Sequence, residues 1–501
     1  MANIGEVTRR DEELLRKMGY RQELKRAFSG FSNFSVSFTI ISILSGCLTL
    51  YSFGLTSSGT LGASIGWPIV GLFVLTVALG MAEISSTFPT AGGLYYWASK
   101  LGGPGWGWFT AWFNLLGQVA VTAGIDYGMA IFIDALLNQF IPAIPASGHA
   151  GAVATLIIFA IAMLIQAAIN YMGVNIVSVL TSISAWWHMG GVVLIVGALL
   201  LFAPIHPHPI HFLFTSGHSS SGFPDWYGFF IGLLLAQYTF TGFDASAHVS
   251  EETVGADRNA PRGIIMSVWV SLIAGYVLLL GLTAAVPSLA KTMGSTNPVL
   301  YILTTRLGES AGTALFIVAV IAQFFCGTAS ILSNSRMIYA FSRDHGLPLS
   351  GLWQKINRDR HVPGNAIWLA ISCAFVLTLP ALWSSVIYAA VTSISTIGLF
   401  VAYVIPIYLR RTRREKFSPG PFHLGAWSGF IGWLAVVWVI FICILFMVPT
   451  IRPIKFSTFN FTPVVLLIIF AILVPWYWFS VRHWFKGPIR QVEEDSIASK
   501  I

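Results

Sequence analysis

Hydrophobic residues gather along this chain in long blocks parted by short polar stretches. The blocks fall near 32–56, 64–88, 106–138, 150–170, 176–203, 226–252, 263–286, 311–340, 364–382, 384–409, 427–449 and 462–484. A helix needs about 20 apolar residues to cross a bilayer, so the pattern predicts twelve spans. The longest blocks, 106–138 and 311–340 among them, predict tilt or a break.

Two blocks carry residues that a spanning helix does not need. In the sixth, YTFTGFDASAHVSEE, the apolar run stops at Thr241-Gly242, admits Asp244 and then fills with charge. In the first, Ser42-Ile43-Leu44-Ser45-Gly46-Cys47 puts small and polar residues at mid-membrane. Backbone in lipid must satisfy its own hydrogen bonds, and a break is tolerated only where it lines a cavity. Secondary transporters pair two such breaks, one in each inverted half, near the bilayer midplane. Helix N-termini exposed there attract anionic groups, and freed carbonyls hold cations. Spans one and six correspond in a five-plus-five repeat, so the matched pair points to a transport site. The competing explanation is that Gly and Ser simply allow helices to pack closely.

Composition and charge fit this picture. The chain is 55% hydrophobic and 10% charged, which excludes an ordinary soluble domain. Its net charge of +8 is a matter of topology. With the N-terminus in the cytoplasm, all of the 28 lysines and arginines except Lys291, Arg306, Arg452 and Lys455 fall on the inner side. That asymmetry removes any reason to invoke nucleic acid. The expected organisation is a cytoplasmic tail over 1–28, a transport core over 29–410, spans eleven and twelve over 411–485, and a cytoplasmic tail over 486–501. The first tail reads as a charged helix without the apolar region of a secretory signal. The expected location is a multi-pass position in the plasma membrane.

Candidate chemistry is sparse. Cys47, Cys326, Cys373 and Cys443 all lie in apolar blocks, without CxxC spacing, so neither a disulfide frame nor a zinc site is expected. His206, His208, His211 and His218 share one outer loop in an HxHxxH-like pattern that a transition metal can use, although a solvated Pro-rich loop is the simpler reading. No HExxH, GxSxG or phosphate-binding motif argues for an enzyme, and no ring of charge argues for a channel. No cofactor and no resident metal are expected.

Several motifs resemble the amino acid–polyamine–organocation (APC) superfamily. YTFTGFDASAHVSEETVGADRNAPRGI is similar to its sixth-span signature, GMAEISSTFPTAGGLYYWASKLGG to its second-span element, and SNSRMIYAFSRDHGLP to its eighth-span exit. FSGFSNFSVSFTIIS and AWFNLLGQVA resemble the amino acid/choline branch, which includes GABA and choline permeases. The likeness covers roughly residues 20 to 485. It implies an all-α polytopic membrane protein of twelve transmembrane helices: a LeuT-like five-plus-five inverted repeat plus two C-terminal helices. It also implies secondary active transport of a small amino acid, GABA or a related ω-amino acid included. The alternatives are choline or polyamine permease, exchange, and sodium-coupled symport.

Carried over by position, the substrate carboxylate rests on the backbone of Ser45, Gly46 and Cys47, where the family usually has Gly-x-Gly. The substrate amine faces the carbonyls of Tyr238, Thr239, Phe240, Thr241 and Gly242, with Tyr238 at the gating aromatic. Gln118 is the polar third-span residue near the substrate. For coupling, the resemblance puts His188 where proton-coupled relatives place a fifth-span lysine, and Asp244 where an acid suspected of sensing protons stands. Sodium-coupled members offer two adjacent hydroxyls in span eight. Here Ala329 and Ser330 hold that pair, so a proton is favoured over sodium. Among the other acids, Glu83 and Asp134 read as structural or solvated, while Asp126 is divided between lining the outer path and a packed polar contact. Glu251 and Glu252 read as an exposed inner-loop gate worth about 0–1 kcal/mol per ion pair.

Overall fold

In the computed structural model the chain is all-helical. The structure describes residues 4–489 apart from 142, 146, 204–207, 209, 216–218, 384–385, 414, 416 and 456–457. Among the described residues 11 helices are long and apolar enough to cross a membrane. They are Gly30–Thr49, Gly62–Thr87, Pro104–Phe140, Gly148–Met172, Val174–Leu201, Ala256–Ala284, Glu309–Arg343, Gly364–Leu382, Ile387–Thr412, Gly425–Leu445 and Thr462–Trp484. The remaining predicted span, the sixth, is divided into Asp225–Gly232, Leu234–Thr239 and Ala245–His248. Its interruption is the reason that it is missing from the set of long helices, and the twelve blocks are otherwise accounted for.

The third span is the longest, a single helix of 37 residues. At 1.5 Å per residue it runs about 55 Å, well beyond the roughly 30 Å hydrocarbon layer, so it tilts or projects rather than breaks. It packs against spans four, eight and ten, while span seven packs against spans one and two. Spans one and six therefore lie at the centre, walled by the other helices of the core. Span eleven closes against spans two and ten, where Trp438 stacks on Phe73 at 4.3 Å between ring centroids. Outward faces remain apolar, with Ile157, Leu164, Val193, Ile440, Leu467 and Ile468 exposed. Such a belt is what a lipid-facing surface requires.

The N-terminal tail is helical over Ile4–Lys17. It is not a loose charged arm, because Leu15, Tyr20, Leu24 and Phe28 are buried against the end of the bundle that holds both tails. Glu83, expected to be structural or solvated, is buried, accepting from Arg411 Nη2 at 3.1 Å and from Ser428 Oγ at 2.6 Å. It ties spans two, ten and eleven together. Asp134 lines a cavity of about 450 Å³ at the opposite end, with Asn138, Gln139 and Asn297. Of the His-rich loop, His206 and His218 lie outside the described residues, while the His208 ring stacks on Phe212 at 3.9 Å.

Candidate functional site

The first break begins where helix Gly30–Ile41 ends. Ser42 turns left-handed at φ +39°, a conformation that a non-glycine residue holds only when its surroundings enforce it. The enforcement is visible: Ser42 Oγ lies 2.7 Å from His188 Nε2. The Ser42 carbonyl then accepts from both Ser45 N at 2.8 Å and Gly46 N at 2.9 Å before helix resumes at Gly46–Thr49. Two of the three amides assigned to a carboxylate are thus turned onto Ser42. A Cβ on Gly46 would lie 2.6 Å from Thr239 Oγ1, so glycine lets the two breaks meet.

In span six the helix ends at Thr239, and Thr239 Oγ1 and Thr241 Oγ1 bond back to Leu235 O and Tyr238 O, each at 2.7 Å. Phe240 packs on Trp67 at 4.5 Å between ring centroids. Gly242 has φ +89°, and a Cβ there would run into Ile40, in the last turn of helix before the first break. Its N–H leaves the helix ladder and donates to Tyr403 Oη at 3.2 Å. Tyr238 is buried with no hydrogen-bond partner for its hydroxyl among the described residues.

Asp244 joins the break to the rest of the core. Its Oδ2 accepts from Gln118 Nε2 at 2.9 Å, Asn114 Nδ2 at 3.2 Å and His248 Nε2 at 3.1 Å, and its Oδ1 from Tyr403 Oη at 2.7 Å. Four donors from spans three, six and ten surround one carboxylate, which is how a buried charge is made tolerable. Gln118, expected beside the substrate, donates to Asp244. Asn114, His248 and Tyr403 escaped the sequence reading. His248 had a usable signal, one helical turn beyond Asp244, and Asn114 had one in standing a turn before Gln118, whereas Tyr403 lies on a distant span and had none.

His188 sits wholly buried on span five. Besides Ser42, its Nδ1 lies 2.8 Å from the Ser184 carbonyl and its ring meets Phe38 edge-on. It therefore touches the first break directly. Ser330 Oγ lies 2.8 Å from Thr122 Oγ1. Asn114, Gln118, Thr122 and Asp126 follow one another every fourth residue, and all four are buried. The sequence showed that spacing, yet only the structure gives each member its partner.

The end that holds the tails is shut by buried ion pairs, and here the expectation of an exposed gate is corrected. Glu251 and Glu252 are 1% and 0% exposed. Arg336 grips Glu252 through Nε at 3.0 Å and Nη2 at 2.9 Å, and Arg343 grips Glu251 through Nη1 at 3.0 Å and Nη2 at 3.1 Å. Both arginines lie on span eight, not in a loop. The N-terminal segment caps the pairs, since Ala27 N and Phe28 N donate to Glu252 O, each at 2.9 Å. Buried two-pronged pairs form because the tail and span six exclude water, a tertiary fact that a charged loop sequence does not display.

A membrane bundle with two opposed helix breaks around buried polar groups is the architecture of a secondary carrier. Comparison with known proteins names the family: the family model for amino acid permeases matches residues 28–488. The chain is 41% identical over 497 residues to the amino-acid permease BAT1 of Arabidopsis thaliana, covering 95% of this chain and 96% of that one. It is 29% identical over 507 residues to the GABA-specific permease of Saccharomyces cerevisiae, covering 98% and 88%. It is 27% identical over 516 residues to a putative polyamine transporter of Candida albicans, covering 99% and 92%. The chain belongs to the amino acid permease family of the APC superfamily, whose fold is LeuT-like.

Proposed function

We propose that the protein carries a small amino acid, GABA or a related ω-amino acid among the candidates, by proton-coupled symport and alternating access. Substrate binds between the breaks of spans one and six, its carboxylate toward Ser45, Gly46 and Cys47 and its amine toward residues Tyr238 to Gly242. Gln118 holds the site through Asp244. His188, Asp244 and Ser330 are the residues of the coupling step: His188 acts on the first break through Ser42, Asp244 fixes the second, and Ser330 marks the position of a cation. The protein sits in the plasma membrane with both tails in the cytoplasm. The pairing of the two breaks through Gly46 and Gly242 carries this reading, because packing alone does not call for left-handed backbone and re-aimed amides.

The test is uptake into liposomes of labelled amino acids, GABA, choline and a polyamine, under an inward proton gradient, an inward sodium gradient or neither. Accumulation of a small amino acid under the proton gradient alone is expected, with His188→Ala losing it while counterflow survives. A sodium requirement returns the ion to the region of Ser330 and makes His188 a core histidine. Accumulation of choline or the polyamine instead reassigns the substrate, and counterflow without any net accumulation makes the protein an exchanger.

A further inference from the structure

One acid in the core has no counter-charge. Asp126 is fully buried on span three. Its Oδ1 accepts a single hydrogen bond, from Gln166 Nε2 of span four at 2.8 Å, and its Oδ2 has no partner among the described residues. Beside it Gln166 Oε1 is also without a partner. The place is built for the carboxyl: a Cβ on Gly327 of span eight would run into it. The other ionisable groups facing it are Tyr238 from span six, with its free hydroxyl, and Cys326 from span eight, whose thiol donates to Ile40 O at 3.2 Å. Tyr388 of span ten lies by Gly128, one half-turn further along. No lysine, arginine or histidine among the described residues bonds to it. Asp244, by contrast, has four polar partners, among them the His248 imidazole, whose other ring nitrogen lies 3.1 Å from the Ala91 carbonyl.

A buried carboxylate in a membrane protein with one donor and no cation must acquire a positive partner or a proton. Asp126 lies two turns, about 12 Å of helix, deeper in the bundle than Asp134, with the buried Ala130 between them. On the every-fourth-residue ridge of span three, Asp134 and Asn138 lie toward the 450 Å³ cavity, and Thr122, Gln118 and Asn114 lead to Asp244. Cys326 connects the same spot to the first break.

We propose that Asp126 is the residue that binds the transported proton, taking it on Oδ2 from water in the cavity that Asp134 lines and releasing it to water at the tail end once that end opens. This rests on the proton-coupled reading above. The proton is carried as such, so no bond beyond O–H is made or broken, and one positive charge crosses with each substrate molecule.

The test compares wild type with Asp126→Asn in liposomes. Accumulation under an inward proton gradient is expected to vanish in the variant, its uptake becoming independent of external pH, while counterflow continues at a reduced rate. Retention of proton-driven accumulation with the wild-type pH profile overturns the proposal, leaving the symport reading intact. If wild type itself is driven by sodium, or by no gradient, the symport reading has failed and the proposal falls with it. Selective loss of ω-amino acid or diamine uptake, with a neutral α-amino acid still proton-driven, overturns it too, by making Asp126 a partner for a substrate ammonium. Should the variant lack counterflow, pH-difference infrared spectra decide: the protonated-carboxyl band of the wild type is expected to disappear in Asp126→Asn, and its persistence assigns the proton elsewhere.

Discussion

Single residues hold the two breaks in register. Gly242 combines φ +89° with a Cβ position occupied by Ile40, so Gly242→Ala must either move Ile40 or rewind the segment. Transport in Gly242→Ala is expected to fall at least tenfold, measured as initial uptake in vesicles holding matched amounts of monodisperse protein; wild-type uptake would show that this backbone turn is dispensable. Outside the spans, Asp344 is a buried carboxyl whose titration shifts on folding. Burial raises its carboxyl to about 6 from the ordinary 3.8, against the pull of Arg343. Because the folded protein binds this proton more tightly than the unfolded chain, the contribution of Asp344 to stability falls as pH rises from 3.8 to about 6 and is flat above. Thermal unfolding in detergent is expected to show a component with that sign, absent from Asp344→Asn. The same carboxylate accepts from Tyr20 Oη and Ile489 N, each at 2.9 Å. An asparagine can keep Oδ1 toward Ile489 N–H and give its N–H to Tyr20 Oη, so the variant removes the titrating group and keeps both contacts.

At the scale of elements, the buried pairs join span eight to the turn after span six. Removing one partner of a buried ion pair leaves an unpaired charge, worth about 3–5 kcal/mol. Arg336→Ala is therefore expected to lower the unfolding midpoint strongly, and Arg336→Met with Glu252→Met to recover most of the loss. Equal midpoints for single and double variants would show that the two residues act separately. How much of this was legible in the sequence follows from the range of each interaction. The helices and both breaks were readable because apolar runs, glycine and an intruding aspartate are local signals. The long third helix was readable in extent but not in continuity. The Asp244 partners other than His248, the burial of Glu251 and Glu252 and the bare oxygen of Asp126 were not, since each depends on residues tens to hundreds of positions away. The helix of the tail was legible, but its docking was not, because the charges mask a buried row of Leu15, Tyr20, Leu24 and Phe28.

For the whole molecule, the tail end is closed by buried ion pairs, and a cavity lined by Asp134 stands at the other end. In the proposed alternating access, opening of the tail end is expected to break the Arg336–Glu252 and Arg343–Glu251 pairs and to lift residues 18–28 from span six. Cys47, fully buried in the first break, is a native reporter of that event. In a chain whose other three cysteines are alanine, an impermeant maleimide applied from the tail side is expected to label Cys47 slowly. Arg343→Ala weakens the closure, and each 1.4 kcal/mol shifts an opening equilibrium tenfold. Labelling of Cys47 in that background is therefore expected to speed up at least tenfold, and an excess of transported substrate to change the rate in both chains. Identical rates with and without Arg343 would mean that the pairs stabilise the fold without gating it, and that the barrier between the breaks and the tail end lies nearer the middle of the membrane, where Thr239 meets Gly46.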